Sequence, residues 1–368
     1  LRVNICKHCW LTQTEDFTSS EDLFSNDYAY LSSTSKTWVD HCKKFSKKIS
    51  NKLKLGKDSL VVEIASNDGC LIENFHKMKI PSIGIEPTKS TAKVSREKGI
   101  TTIEQFFGLK MAKKFIGKYG KADLVCANNV FAHVPDVNDF VAGLKKILKS
   151  KGTITIEFPH LLKLIKDNLF DTIYHEHFSY LSLTTASTIL SSVGLRVYHL
   201  EKLTTHGESL RIHICHASSK LKTRSEVNKF LKYEIDFGLF KIKTYKNFKK
   251  NVNQIQRKLL SFLKKMKSNK IKVIAYGAAA KGNTLLNSIN IDSDLIEYVC
   301  DEAISKQGKF LPGSLIPILK KDVIFVDKPE IILILPWNIS REVVSKLKNA
   351  RKWKCKFFVA LPKLKEVK

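Results

Sequence analysis

The sequence is short of arginine, of long apolar runs and of paired cysteines, and each shortage removes a class of protein. Arginine occurs only at positions 2, 96, 196, 211, 224, 257, 341 and 351, although Lys and Arg together number 63 and the formal charge is +28. Proteins that read base edges lean on arginine's bidentate fork, whereas the lysines here are spread along the whole chain, often beside Ile and Asn. No specific nucleic-acid partner is therefore expected, and most of the surplus is a solvated lysine surface. The field would still attract an anionic small substrate such as a nucleotide diphosphate. No apolar stretch approaches the roughly 20 residues of a membrane-spanning helix, and no signal peptide opens the chain, so no membrane partner is expected. The first residue is Leu rather than Met, the expectation for a processed or truncated start. Of eight cysteines only Cys6 and Cys9 lie close together. That excludes a disulfide framework and points to a reducing cytoplasm.

What is present is enough material for two or three cores: 368 residues, 43% of them hydrophobic. The densest chemistry lies in Asp171-Thr172-Ile173-Tyr174-His175-Glu176-His177-Phe178-Ser179-Tyr180. If Tyr174 to His177 is extended, Tyr174 and Glu176 share one face and His175 and His177 the other. A Glu beside a His fixes the imidazole tautomer and raises its basicity, which suits a general base near neutral pH. The plain alternative is a hydrogen-bonded aromatic cluster in the core, but so many polar groups would each need a buried partner.

In chain order, Cys6-Lys7-His8-Cys9 is half a zinc knuckle without a second CxxC downstream, while a closed structural site needs four ligands. His8, His41 and Cys42 lack convincing spacing as substitutes. A turn-rich patch, Asn26 to Tyr30, precedes a helical pattern from Lys36 to Leu53. A strand from Ser59 to Ala65 then runs through Ser66-Asn67-Asp68-Gly69 into a helix from Cys70 to Lys77. A buried strand, a small-residue turn and a helix make the first βα unit of a nucleotide-binding sheet, although Glu63-x-Ala65-x-Asn67-x-Gly69 differs from the dinucleotide pattern. The next strand ends in Glu86, where a carboxylate can accept both ribose hydroxyls. Phe106 and Phe107 offer rings to cover an adenine. The strand from Asp123 empties Asn128 and Asn129 at its carboxyl end, and Val130 to Asp136, with His133, turns into a helix. With the strand from Gly152 to Phe158, the alternation implies a doubly wound, mostly parallel sheet.

Further strands are expected near Leu195–Leu200 and Ser209–Cys215, flanking a polar loop with His206, Ser209 and Arg211. One or two long helices fill 225–268. A second, smaller α/β unit begins at Ile271–Tyr276, followed by Gly277-Ala278-Ala279-Ala280-Lys281-Gly282-Asn283-Thr284 and later strands near Leu295–Cys300, Asp322–Phe325 and Glu330–Leu335. Small residues let backbone N–H groups approach a phosphate and Lys281 adds a point charge; a ligand-free βα turn is the alternative.

Five stretches, in order, carry a resemblance: Val62 to Gly69, Ala127 to Pro135, Glu157-Phe158-Pro159-His160, Tyr174 to Tyr180, and Tyr276 to Thr284. Together they resemble the S-adenosylmethionine-dependent sugar C-methyltransferases that act on nucleotide-linked 4-keto-deoxysugars. The resemblance implies a class I methyltransferase Rossmann-like sheet, a small N-terminal zinc-binding module and a second Rossmann-like C-terminal domain, laid out as 1–55, 56–200, 201–268 (strands and linking helices) and 269–368. It implies His177 as the base, with Tyr174 and Glu176 around it and Tyr28, Asn129 and His133 towards the reacting centre. It places Glu63, Ala65, Asn67, Asp68, Gly69, Glu86, Phe106 and Asn128 at the cofactor, and His206, Ser209, Arg211, Lys281, Gly282 and Asn283 at the sugar nucleotide. It implies a structural zinc on Cys6, Cys9 and a pair absent here. The substrate loop, usually His-Gly-Gly-Ser, reads His206-Gly207-Glu208-Ser209, so Glu208 would either contact a different sugar hydroxyl or repel a phosphate.

Overall fold

A computed structural model describes residues 1–15, 19–24, 31–203 and 208–368. The chain divides into two compact units, Leu1–Leu161 with His175–Phe237, and Leu162–Tyr174 with Gly238–Lys368.

In the first unit, an N-terminal hairpin of β1 (Val3–Ile5) and β2 (Thr12–Thr14) precedes the helix Lys36–Leu53. That helix starts where the Ser35 hydroxyl accepts the Trp38 N–H, and it buries Cys42, Phe45, Ser46, Ile49 and Ser50. Those five fall at i, i+3, i+4, i+7 and i+8, one helical face. The main sheet is built from β3 (Val61–Ile64), β4 (Ser82–Ile85), β5 (Thr101–Ile103), β6 (Ala122–Asn128) and β7 (Leu148–Pro159), all parallel. The short β8 (Ser179–Tyr180) pairs instead with β2. The hairpin of β9 (Leu195–Leu203) and β10 (Ser209–His216) then closes the sheet antiparallel beside β7. The order is β5-β4-β3-β6-β7-β10-β9. Successive strands run outward from β3 on one side and resume at β6 on the other, so the crevice at the carboxyl ends of β3 and β6 is the switch point where such sheets bind ligands. Every residue of β3 is buried, the mark of a strand covered on both faces.

The second unit carries β11 (Val273–Tyr276), β12 (Val299–Cys300), β13 (Ile318–Leu319), β14 (Ile331–Ile334), β15 (Lys356–Val359) and β16 (Lys365–Val367) in the order β13-β12-β11-β14-β15-β16, parallel except for β16. Leu259 and Leu263 of the 27-residue helix Ile242–Ser268 enter its core.

Three expectations change. Residues 201–268 are not a separate segment: β9 and β10 belong to the main sheet, and the chain breaks into two helices at Gly238, whose φ of 87° only glycine adopts easily. Asp322–Phe325 is not a strand, since Val323–Asp327 forms a short helix with Val326 84% exposed, and the strand beside β12 is Ile318–Leu319. Short apolar runs carry no period that separates helix from strand. Tyr174 to His177 is not extended either, because His175 and Glu176 form a turn.

Candidate active site

The turn after β3 is held in a conformation few residues accept. Ala65, Asn67 and Gly69 have φ of 53°, 50° and 80°, and non-glycine residues in that region cluster at functional sites. At Gly69 a Cβ would lie 2.7 Å from both Ser95 Oγ and Ile100 Cδ1, so the turn presses directly on its neighbours. The Glu86 carboxylate clamps it: Oε2 accepts the Asn67 N–H at 2.8 Å and Oε1 the Thr88 N–H at 2.9 Å. On the other side, the Ser32 and Ser33 N–H groups donate to Asn67 Oδ1 and Asp68 Oδ2 at 2.9 and 3.1 Å. Glu63 accepts the Ile72 N–H at 2.9 Å at the start of the helix Ile72–Lys77, and burial pushes its pKa up. That bond ties the end of β3 to the helix after the turn.

These residues suit S-adenosylmethionine. Each Glu86 oxygen retains a lone pair for a ribose hydroxyl. Among the described residues, the Asn128 side-chain amide at the end of β6 is buried with neither Oδ1 nor Nδ2 partnered, and Asp68 Oδ1 is buried without a partner too. Buried polar groups are ordinarily paired, so these donors and acceptors are consistent with a polar ligand at the switch point. Phe106 is 41% exposed, while Phe107 packs edge-on against Phe140 with ring centroids 5.6 Å apart. Only the first ring is open to stack.

Next to this crevice the two motif histidines meet. Asn129, with φ of 54°, donates its N–H to the Glu157 carbonyl at 2.7 Å, and its buried Oδ1 has no partner among the described residues. The turn that follows brings His133 to His177, ring centroids 4.7 Å apart and 67° between planes. His177 is fixed from both ends: Thr14 Oγ1 donates to its carbonyl at 2.8 Å, and the Phe178 N–H donates to the Ala132 carbonyl at 2.8 Å. Tyr180 stands edge-on to the His177 ring at 5.9 Å, and Phe24 edge-on to His133 at 5.9 Å. Burial pushes the His133 pKa down to about 4, against the opposing pull of a hydrogen bond to the Glu176 backbone. His133 is thus neutral near pH 7, and its buried Nδ1 has no partner among the described residues. Glu176 is half-buried in the turn. Tyr174 lies at the end of a segment of the second unit, and the chain enters the first unit at His175. Tyr28 and His206 lie outside the described residues.

Of the expected substrate contacts, Ser209 is buried on β10 opposite Pro159, and Glu208 before it has φ of 77°. Arg211 is engaged by partners within the first unit. Only 3% exposed, it bonds Glu157 Oε2 at 2.9 Å and His41 Nε2 at 2.8 Å, and stacks its guanidinium 3.9 Å from the Phe45 ring centroid. The sequence put Arg211 with a polar loop and gave no sign of the buried carboxylate awaiting it. In the second unit Lys281 lies 5.4 Å over the Trp337 ring, its pKa lowered by burial despite the nearby Asp171 carboxylate. Trp337 Nε1 donates to Asp171 Oδ2 at 2.7 Å, and Asn283 Oδ1 is buried and unpartnered. Gly282 packs against Leu335, where a Cβ would come within 2.8 Å. Sequence reasoning missed Asp171 and Trp337 as the surroundings of Lys281, because separations of 110 and 56 residues hide the contact; it also missed the backbone latch of Ser32 and Ser33.

Cys6 and Cys9 sit in the β1–β2 loop, tightened by the Trp10 N–H on the Cys6 carbonyl at 3.0 Å. Backbone N–H groups of Cys9 and His8 directed at the Cys6 sulfur lower its pKa, as a thiolate ligand requires. Among the described residues no third metal-ligating side chain joins them, so the donors present fit half of a zinc site.

The chain is 30% identical over 98% of its length to C-methyltransferase NovU of Streptomyces niveus, covering 86% of that protein. It belongs to the S-adenosylmethionine-dependent C-methyltransferases. Two family descriptions match it, "Methyltransferase domain" over residues 36–200 and "C-methyltransferase C-terminal domain" over 204–362. Among solved structures, magnesium protoporphyrin IX methyltransferase of Synechocystis PCC 6803 with bound S-adenosylmethionine shares 12% identity at a TM-score of 0.38, over 55% of this chain and all of that one. The YcgJ protein of Bacillus subtilis shares 13% at 0.39, over 49% of this chain and all of its own. The methyltransferase family matches agree with the sheet order, whose switch point lies at the carboxyl ends of β3 and β6. No helix among the described residues is long and apolar enough to cross a membrane.

Proposed function

We propose that this C-methyltransferase acts on the carbon next to the ketone, C3, of a nucleotide-diphospho-4-keto-deoxysugar, with His177 as general base. The observation that carries the reading is the pair of imidazoles 4.7 Å apart beside the cofactor crevice. S-adenosylmethionine, when bound, supplies an electrophilic sulfonium methyl. Glu86, Asn128 and Asp68 hold it, and Phe106 offers a ring to the adenine. A carbon acceptor must first become a nucleophile, and the ketone acidifies the neighbouring C–H. His177 removes that proton, a contribution of about 10²–10⁴ in rate. His133, kept neutral by burial, adds no second positive charge to oppose proton uptake by His177. For the same reason His133 is not the cation that steadies the enolate oxygen; a tyrosine hydroxyl, from Tyr174 or Tyr28, takes that part. Asn129 and Glu176 complete the surroundings of the reacting carbon. By the resemblance, Lys281 and Asn283 of the second unit are sugar-nucleotide contacts, with Gly282 keeping their helix close to Leu335; the same resemblance gives that role to His206 and Ser209 of the first unit. A structural zinc on Cys6 and Cys9, and a cytoplasmic location, belong to the same proposal.

The test is incubation with S-adenosylmethionine and a thymidine-diphospho-4-keto-deoxysugar in heavy water, read by mass spectrometry and NMR. A new carbon-bound methyl, lost in His177→Asn, is the expected result. A methyl on oxygen or nitrogen, or no transfer to any of several verified 4-keto sugars by a folded protein, would overturn it.

A further inference from the structure

On the β9–β10 hairpin, three side chains that the methyl-transfer reaction does not use converge. His199 and Glu201 are two residues apart on β9 and so share a face, and His213 lies directly across from His199 in the β10 register. Their ligand atoms all lie within 4.8 Å of one another. Glu201 Oε1 stands 2.9 Å from His213 Nε2 and 3.9 Å from His199 Nε2. The register shifts immediately after His213, a device that re-aims side chains near sites.

We infer that His199, Glu201 and His213 bind a divalent first-row transition ion of the zinc, cobalt or nickel kind. Two imidazoles and one carboxylate favour such ions over magnesium or calcium, which take oxygen cages. His199 already has the orientation of a ligand: its Nδ1 bonds Glu226 Oε1 at 2.6 Å, which turns Nε2 towards the other two groups. A carboxylate behind a histidine is the usual outer support of a metal site. Glu226 is carried by the helix Ser225–Phe237, so an ion here would fasten that helix to the hairpin.

The neighbouring cations leave room for it. Lys48 bonds Glu201 through Oε2 at 2.7 Å, and Arg211 Nη1 lies 3.8 Å from the same oxygen, leaving Oε1 to face the imidazoles. Lys48 is 63% exposed and can swing into solvent. Lys52 and Arg224 add positive charge to the surroundings, which further disfavours hard ions held by charge alone. His213 is 1% exposed and its Nδ1 has no partner. Ligation through Nε2 moves its proton to that nitrogen, and the missing support there lowers affinity by about 10–100-fold relative to a fully supported ligand.

The experiment titrates Co²⁺ alone into the full chain carrying Cys6→Ser and Cys9→Ser, followed by visible absorption and calorimetry. One equivalent is expected to bind, with no thiolate-to-cobalt charge transfer. In the unsubstituted chain that charge-transfer band reports the CxxC pair separately. His199→Ala should weaken binding at least tenfold with an unchanged melting curve, and Glu226→Gln by about 10–100-fold. His199→Gln, which keeps a hydrogen bond towards Glu226 but not the ligand nitrogen, serves if the alanine variant melts early. Equal binding in these His199 variants, or no saturable binding up to millimolar Co²⁺ by a folded chain, would show an ion-pair cluster and no metal site.

Discussion

Two buried polar centres in the first unit invite comparison: the mouth of β3 and β6, and the group gathered on Glu234. Glu234 is fully buried, yet its carboxylate accepts from His160 Nε2 at 2.7 Å, from the Leu183 and Thr184 N–H groups at 2.6 and 2.8 Å, and from Thr184 Oγ1 at 2.6 Å. It caps the helix Leu183–Ser192 and pins His160. At the mouth of β3 and β6 the buried atoms Asn128 Oδ1 and Nδ2, Asn129 Oδ1, Asp68 Oδ1 and His133 Nδ1 have no partner among the described residues. Burial and polarity are alike in the two places, but completeness differs. A closed hydrogen-bond set builds the fold, whereas an open one costs about 1–3 kcal/mol for each unpaired group unless a ligand completes it.

The comparison is tested most severely by exchanging the expected losses. His177→Asn should lower kcat by about 10²–10⁴ while S-adenosylmethionine binding, followed by calorimetry, stays within about twofold. Glu234→Ala should do the opposite, costing about 3–5 kcal/mol in denaturant unfolding by leaving His160 and the helix N-terminus unpaired, with kcat per folded molecule unchanged. Loss of activity without loss of stability in Glu234→Ala would break the distinction.

The next effect concerns pH. The His133 pKa is about 4 in the folded chain against 6.5 for the free side chain. Between those values the unfolded chain holds more protons, so stability is full above pH 6.5 and falls as pH drops towards 4. The loss amounts to about 3 kcal/mol. Burial also pushes the His213 pKa down to about 4, so in urea titrations made between pH 7 and 4 His133→Gln should remove the His133 share of the slope and leave the His213 share. The smallest effect belongs to Asn128→Ala, expected to weaken S-adenosylmethionine binding about tenfold and to leave the melting temperature unchanged or raised, because an unpaired buried amide disappears.

The alternation of strands and helices, and the turns at Asn67–Gly69 and Asn128–Asn129, were legible in the sequence because apolar runs and turn residues are local signals. The pairing of His133 with His177 was not legible from spacing: 43 intervening residues give no contact, and only resemblance brought them together. Arg211 shows the converse. Its place after a polar loop suggested a ligand contact, but β10 packs beside β7 and delivers it to Glu157. The antiparallel closure by β9 and β10 was hidden for the same reason, since neither strand carries a local mark of its neighbour. His160 and His133 both lie in motifs and both are flanked by apolar residues. Only the fold separates the one with a complete set of partners from the one without.

The account turns on proton removal by His177, and solvent exchange in the absence of methyl transfer tests that step directly. The enzyme would be incubated in heavy water with S-adenosylhomocysteine, which cannot donate a methyl, and a thymidine-diphospho-4-keto-deoxysugar, and deuterium at the carbon beside the ketone followed by NMR. The account predicts enzyme-dependent exchange that falls by at least a hundredfold in His177→Asn and persists in Asn128→Ala at saturating S-adenosylhomocysteine. Exchange at the wild-type rate in a folded His177→Asn variant would contradict it.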